Sequence, residues 1–257
     1  MSIYPAPLQN QLLAALPREV QARLLPFLEL TTLHAGQVLY AAGETRRHVY
    51  FPTDSILSLL NVIEDGSSAE ISMVGNEGAA GIISFMGGES SPWQVVVQSS
   101  GHAYRLVGRR MKEEFDRHGE ALVLMLRYAQ ARVAQMAQSA ACYRHHSIDQ
   151  QLCRWLLLSL DRLPSNRINT TQEFISNMLG VRREGVTDAA GKLQKLGVIE
   201  YRRGNISVLD RPRLEKLSCE CYAVVKKETD RLLVGAATRR FEIPMRHNHF
   251  NAQLVHA

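Results

Sequence analysis

Residues 168–210 read INTTQEFISNMLGVRREGVTDAAGKLQKLGVIEYRRGNISVLD, and this stretch decides the fold of the C-terminal half. A hydroxyl at Thr170 or Thr171, followed by Gln172–Glu173, offers an oxygen to the free N–H groups that open a helix. Phe174, Ile175, Met178 and Leu179 then recur at helical spacing and make one apolar face. Gly180 follows, where a helix end takes a left-handed residue without a Cβ penalty. A second helix runs through Val186, Ala189, Ala190, Leu193 and Leu196 and stops at Gly197. Two short helices on a glycine turn form the unit that lays its second helix in the major groove of DNA.

With Val186, Ala190 and Leu193 inward, the 3.6 period turns Arg183, Glu184, Thr187, Asp188 and Gly191 outward. An arginine near the helix start can donate a fork of hydrogen bonds to guanine, and a glutamate can accept from cytosine. Asp188 repels phosphate unless an arginine or a cytosine faces it. An amphipathic hairpin with a solvated polar face is the alternative, and the next segment argues against it. Residues 198–209, VIEYRRGNISVL, alternate apolar and polar around an Arg-Gly-Asn turn and read as a β-hairpin. Arg202 and Arg203 at its tip place cations beside a phosphate backbone. The candidate contacts to double-stranded DNA are therefore Thr171, Gln172, Arg182, Arg183, Glu184, Thr187, Asp188, Lys192, Arg202 and Arg203.

Charge is distributed to match. The 257-residue chain carries a net +5, but residues 1–140 hold 11 Lys/Arg against 13 Asp/Glu, and residues 141–257 hold 19 against 12. The basic surplus belongs to the half that contains the helical hairpin, as a polyanion-binding domain requires. Composition, 46% hydrophobic and 21% charged, is that of a globular protein. No apolar run reaches the roughly 18 residues of a membrane span, and the first residues lack the pattern of a secretory leader. A cytoplasmic protein with no membrane partner is the expectation.

Outward from the hairpin, Ile148–Leu160 is an apolar helix and residues 163–167 a turn-rich connection. Before it, from Gly119, Leu122, Leu126, Ala129, Val133, Met136 and Ala140 are spaced 4, 3, 4, 3 and 4. That is the rhythm of a coiled-coil seam, so these six residues are the candidate homodimer interface. Burial against the chain's own N-terminal half is the alternative. Residues 29–107 switch to a period of two, with short apolar or alternating segments at 37–40, 48–51, 56–63, 69–74, 94–98 and 103–107, separated by turn signals. Roughly eight short antiparallel strands fit a jelly roll. Helices at 8–28 precede it, Arg110–Phe115 leads out of it, and Arg213–Leu233 is a terminal amphipathic helix before a tail expected to be poorly ordered. The fold class is α+β. Residues 1–118 form the roll with its N-terminal helices, 119–146 the dimerisation helix, 147–220 the winged helix-turn-helix, and 221–257 the terminal helix and tail.

This order resembles the Crp/Fnr family of bacterial transcription regulators. The likeness is strongest over residues 172–197, QEFISNMLGVRREGVTDAAGKLQKLG, which match the family's DNA-binding signature with its Q-E opening, first L-G, R-E pair and downstream L-G. It implies that Arg183 and Glu184 are the base-reading pair, and that the protein is a homodimer working with RNA polymerase on a palindromic site. Asp188 stands where many members carry arginine, and Gly185 replaces a hydroxyl residue that touches phosphate, so the half-site sequence does not carry over. Cyclic-AMP-binding members place a Gly-Glu pair and an Arg-Ser/Thr pair in the roll. Here residues 78–98 put Ile82 at the glutamate position and Ser90-Ser91-Pro92 at the Arg-Ser position. A buried phosphate without a cation is costly, so cyclic AMP is not expected to bind in the usual way. Arg105 or Arg109 could supply an anion site from elsewhere, which ranks below the absence of one.

No cofactor is predicted. The N-terminal region lacks the cysteine cluster of the oxygen-sensing members, so no iron–sulfur cluster is expected. Haem ligation through His34, His48 or His102 ranks below solvent-facing histidines. Cys142, Cys153, Cys219 and Cys221 show no zinc-finger spacing; Cys219-x-Cys221 offers a thiol or soft-metal site, which ranks below buried thiols. A cupin-like metal enzyme on the roll would need histidines and a carboxylate converging inside it, and the three histidines are scattered. A sensing roll that regulates a protein partner without touching DNA is the remaining alternative, and the basic hairpin argues against it.

Overall fold

The computed structural model describes residues 4–45, 47–82, 86, 90–202 and 204–233. Two short helices, α1 (Gln11–Ala14) and α2 (Arg18–Leu24), precede seven strands. One antiparallel sheet has the order β1 (Glu29–Leu33), β7 (Gly101–Val107), β3 (His48–Pro52). The other has the order β2 (Val38–Tyr40), β6 (Trp93–Ser99), β4 (Ile56–Val62), β5 (Ser68–Val74). Leu33 and Ala103 of the first sheet share a core with Leu57, Val74, Val95 and Val97 of the second. Two antiparallel sheets closing on one apolar interior are the expected roll. Seven strands stand among the described residues against roughly eight expected. β1 was not anticipated, because only Leu33 of its five residues is buried and the alternation is weak.

After β7 come α3 (Gly108–Asp116) and the long helix α4 (Glu120–His145), then α5 (Ile148–Leu160) with a Ser147–Gln150 capping box. Helix α5 is central. Its Leu152, Trp155, Leu156 and Leu160 share one core with Ile56, Leu60 and Met73 of the roll and with Ile175, Val186 and Leu193 of the C-terminal half. The C-terminal half then runs β8 (Arg167–Asn169), α6 (Gln172–Leu179), α7 (Arg183–Lys195), β9 (Ile199–Arg202), β10 (Asn205–Val208), with the sheet order β8-β10-β9. The terminal amphipathic segment is two helices and not one. α8 (Arg211–Leu217) ends where Ser218 turns extended, and α9 (Cys221–Leu233) returns along α4. The expected tail lies outside the described residues.

A buried carboxyl lies in the roll where it faces the helices. Glu70 on β5 is enclosed, and burial pushes its carboxyl up to about 7 against the opposing Ser58 hydroxyl bond and the Arg154 and Arg162 charges. A raised folded pKa stabilises below the unfolded value, and that contribution is lost as pH rises through the folded one. Glu70→Gln should therefore be neutral near pH 5 and stabilising at pH 8 by on the order of 1–3 kcal/mol in urea melts. Equal effects at both pH values would contradict a protonated Glu70.

Candidate nucleic-acid interface

Helix α6 begins at Thr171, whose hydroxyl accepts the Phe174 N–H at 3.1 Å; Thr170 is buried and does not cap. Ile175, Met178 and Leu179 enter the core, and Gly180 closes the helix at φ +64°. That value explains the glycine, since a Cβ there also meets Ala69 at 3.2 Å. Three residues later α7 begins. Val186, Ala189, Ala190 and Leu193 are buried, and Arg183, Glu184, Thr187, Asp188 and Gly191 are exposed, as the 3.6 period requires.

The free end of α7 is its N-terminus. Arg182 occupies the N-cap position with no side-chain cap, so the first N–H groups of the helix point outward beside two exposed arginines. Such an end attracts phosphate through its dipole and its unpaired donors. Arg182, Arg183, Glu184 and Asp188 make no ion pair among the described residues. Thr187 is braced differently, donating to Gln172 Oε1 across the two helices at 2.8 Å. Lys192 is engaged with Asp149 of α5 at 2.9 Å, which raises its pKa, but both partners are exposed. A solvent-screened pair of that kind holds weakly and exchanges readily for a phosphate. In the wing, Arg202 pairs with Glu200 at 2.8 Å and remains exposed, while Arg203 lies outside the described residues.

Tyr143, near the end of α4, ties this unit to the roll. Its hydroxyl donates to the Glu70 carbonyl at 2.6 Å and lies 3.3 Å from the Met178 carbonyl of α6. Ser68 of β5 donates to the Asn177 carbonyl at 3.2 Å. Both links set where α7 stands relative to α4.

The six-residue seam on α4 divides in the structure. Ala129 is buried within the chain, Leu122 is half-buried, and Met136 packs against the core of the roll. Leu126, Val133 and Ala140 are exposed, and Val123 and Ala137 lie on the same exposed side. The free apolar stripe is therefore Val123, Leu126, Val133, Ala137 and Ala140, one row over from the expected seam. The 3.5-residue rhythm does not say which of two adjacent rows faces the roll.

In the roll, Ile82 is 1% exposed and packs with Leu12, Phe51 and Met125, so the position holds a core residue and no polar ligand. Ser91 is buried, donating to the Trp93 carbonyl at 3.3 Å. Arg105 is paired with Glu29 at 2.7 Å and Arg109 with Glu113 at 3.2 Å, so each already has a carboxylate partner. His102 leans on Asp54 at 3.1 Å, and the histidines of the roll do not gather with other ligands among the described residues. No described helix is long and apolar enough to cross a membrane.

An antiparallel roll joined by a long helix to a helix-turn-helix with a basic wing defines a class of DNA-binding regulators. Residues 30–118 match the profile of the cyclic nucleotide-binding domain, and residues 150–217 match the Crp-like helix-turn-helix domain. The chain belongs to the Crp/Fnr family of transcription regulators. Solved structures with this fold include a Crp/Fnr-family protein from Eubacterium rectale, 16% identical over 80% of this chain and 96% of that one, TM-score 0.64. FixK2 from Bradyrhizobium japonicum is 13% identical over 75% of this chain and 98% of its own, TM-score 0.62. A CRP-family transcriptional regulator from Thermus thermophilus is 18% identical over 73% of this chain and 96% of its own, TM-score 0.62. No curated protein matches the chain. The family is one of transcriptional regulators and not of enzymes, and the neighbours from Eubacterium rectale and Thermus thermophilus are described as transcriptional regulators.

Proposed function

We propose that the chain acts in the cytoplasm as a homodimer on a palindromic DNA site, with Arg183 and Glu184 reading base edges. The observation that carries this is the uncapped, unpaired N-terminus of α7, which presents Arg182 and Arg183 to solvent beside free backbone donors. Thr171, Gln172 and Thr187 flank that end and take phosphate contacts, Lys192 takes one from the last turn of α7, and Arg202 and Arg203 on the wing take the backbone beyond it. Asp188 faces outward beside them and selects a cytosine or pairs with Arg183 in the complex. The exposed stripe on α4 joins two copies. Tyr143 and the Ser68–Asn177 bond then set the angle between their two α7 helices, which must reach grooves about 34–36 Å apart.

RNA polymerase is the partner that this family assignment favours. Cyclic AMP is not the effector in the usual way, since the buried Ile82 and the Ser90-Ser91-Pro92 segment supply neither the ribose acceptor nor the phosphate cation.

Arg183→Ala should weaken specific binding by about 1–3 kcal/mol and relax preference at one base position of each half-site. Fluorescence anisotropy on a selected site and its single-base variants reads both effects. Parent-like affinity and preference would remove Arg183 from the base contacts.

A further inference from the structure

Four metal-ligating side chains converge where the sequence keeps them up to 79 residues apart, from Cys142 to Cys221. Cys142 lies on the last turn of α4, and His146 follows one turn later on the same side. The break between α8 and α9 swings Cys219 and Cys221 against them. The ligand atoms of all four residues lie within 4.8 Å of one another. Cys142 Sγ and Cys219 Sγ are 3.6 Å apart, and Cys221 Sγ is 3.5 Å from His146 Nδ1. Ligands at about 2.3 Å (sulfur) and 2.0–2.1 Å (nitrogen) from a tetrahedral zinc stand roughly 3.5–3.8 Å from one another. A disulfide would hold its sulfurs at about 2.05 Å, so the 3.6 Å pair is not one.

The surroundings suit a metal better than a set of bystander thiols. All three cysteines are buried. The far nitrogen of His146, Nε2, lies 3.3 Å from the Glu220 carboxylate, the outer contact that orients a ligating imidazole and raises its basicity. Gln138 Nε2 donates to Cys221 Sγ at 3.0 Å. Three thiolates with one divalent cation leave a net negative site. Buried Arg154, which donates to Ser139 and stacks on Tyr143, stands close enough to act electrostatically on Cys142.

We propose that Cys142, His146, Cys219 and Cys221 bind one Zn(II) per chain in a closed Cys3His site. Four protein donors leave no open position, which is the arrangement of structural and not catalytic zinc. The ion ties the end of α4 to the segment that follows the winged helix-turn-helix. It therefore clamps the DNA-binding unit to the helix assigned above to the dimer; this clamp, and not the metal site itself, rests on that assignment.

The test uses the full chain purified under reducing conditions. Mass-spectrometric metal analysis should find about one zinc per chain. Co(II) exchanged into the site should show thiolate-to-metal charge transfer and the visible bands of a tetrahedral sulfur-rich site. His146→Ala and Cys142→Ser should each lower affinity at least tenfold in competition with a chromogenic chelator, and Glu220→Ala by about tenfold. Cys153→Ser, outside the cluster, should bind like the parent. His146→Cys, which keeps four donors, should retain stoichiometric metal, separating ligation from a fold defect seen by circular dichroism. Absence of metal uptake by the folded parent, parent-like uptake by His146→Ala, or a Cys142–Cys219 disulfide in place of metal would overturn the site. Metal content is read without DNA, so a failure of the DNA-binding reading leaves this result standing. DNA affinity unchanged after chelation would overturn the clamp alone.

Discussion

Glu77→Ala should destabilise the protein by about 3–5 kcal/mol, because it strands two buried arginines. Glu77 Oε1 accepts from Arg162 Nε at 2.9 Å and Nη2 at 2.7 Å, and Arg132 Nη1 stands 3.6 Å away. Glu77 Oε2 accepts the Gly75 N–H at 2.9 Å. Arg132 is 1% exposed and already carries two guanidinium nitrogens without a partner, so it has no other anion to turn to. The three charges join the loop after β5, helix α4 and the end of α5. Their loss would loosen the roll from both helices at once. Burial pushes the Glu77 carboxyl up, but Arg162, Arg132 and local hydrogen bonds outweigh it and hold it below the usual range. A depressed folded pKa stabilises above the unfolded value, and that contribution is lost as pH falls through the folded one. Urea denaturation at pH 7 should show the full loss, and the gap between variant and parent should narrow in acid. A variant within about 1 kcal/mol of the parent at pH 7 would show the network to be stabilised elsewhere.

Leu126→Glu with Val133→Glu should convert dimers to monomers and weaken DNA binding by about 10²–10⁴-fold. Val133 is 62% and Leu126 46% exposed, and neither belongs to a buried core cluster, so the fold should survive. Charges facing their own copies across a two-fold axis repel and lose water together. The loss of affinity follows from linkage: with one half-site held, the second copy binds at high effective concentration only while the two are joined. Met136 is unsuitable for this test, because it packs against the core of the roll and its replacement would disturb that core. Sedimentation at micromolar concentration and a binding isotherm on one duplex read the two effects. Dimers that persist would move the interface off α4.

Much of the molecule was legible because periodicity and punctuation agree. Thr171, Gly180 and Gly197 bracket the two helices of the hairpin, and all three hold the expected positions. Ile148–Leu160 matches the expected helix at both ends, since Ser147 caps it and its apolar face is continuous. What escaped depends on contacts distant in sequence. The terminal helix looked unbroken, because Leu214, Leu217, Cys221, Tyr222 and Val225 keep helical spacing through the extended Ser218. β8 has three residues inside a turn-rich segment and gains its order from pairing with β10. The cysteine cluster escaped for the same reason. Cys142 and His146 are four residues apart, one in the last turn of a helix and one just past its end, a weak signal until the α8–α9 break delivers Cys219 and Cys221. Which row of α4 is buried was not legible from the rhythm, because one helix serves the roll on one face and leaves the adjacent face exposed.

Selection of bound sites from random DNA by the full-length protein tests the two-copy mode of action most directly. The enriched sequence should be an inverted repeat whose half-site centres lie about 10–10.5 base pairs apart, bound by two chains per duplex. Enrichment of a single asymmetric half-site bound by one chain, or no enrichment at all, would contradict it.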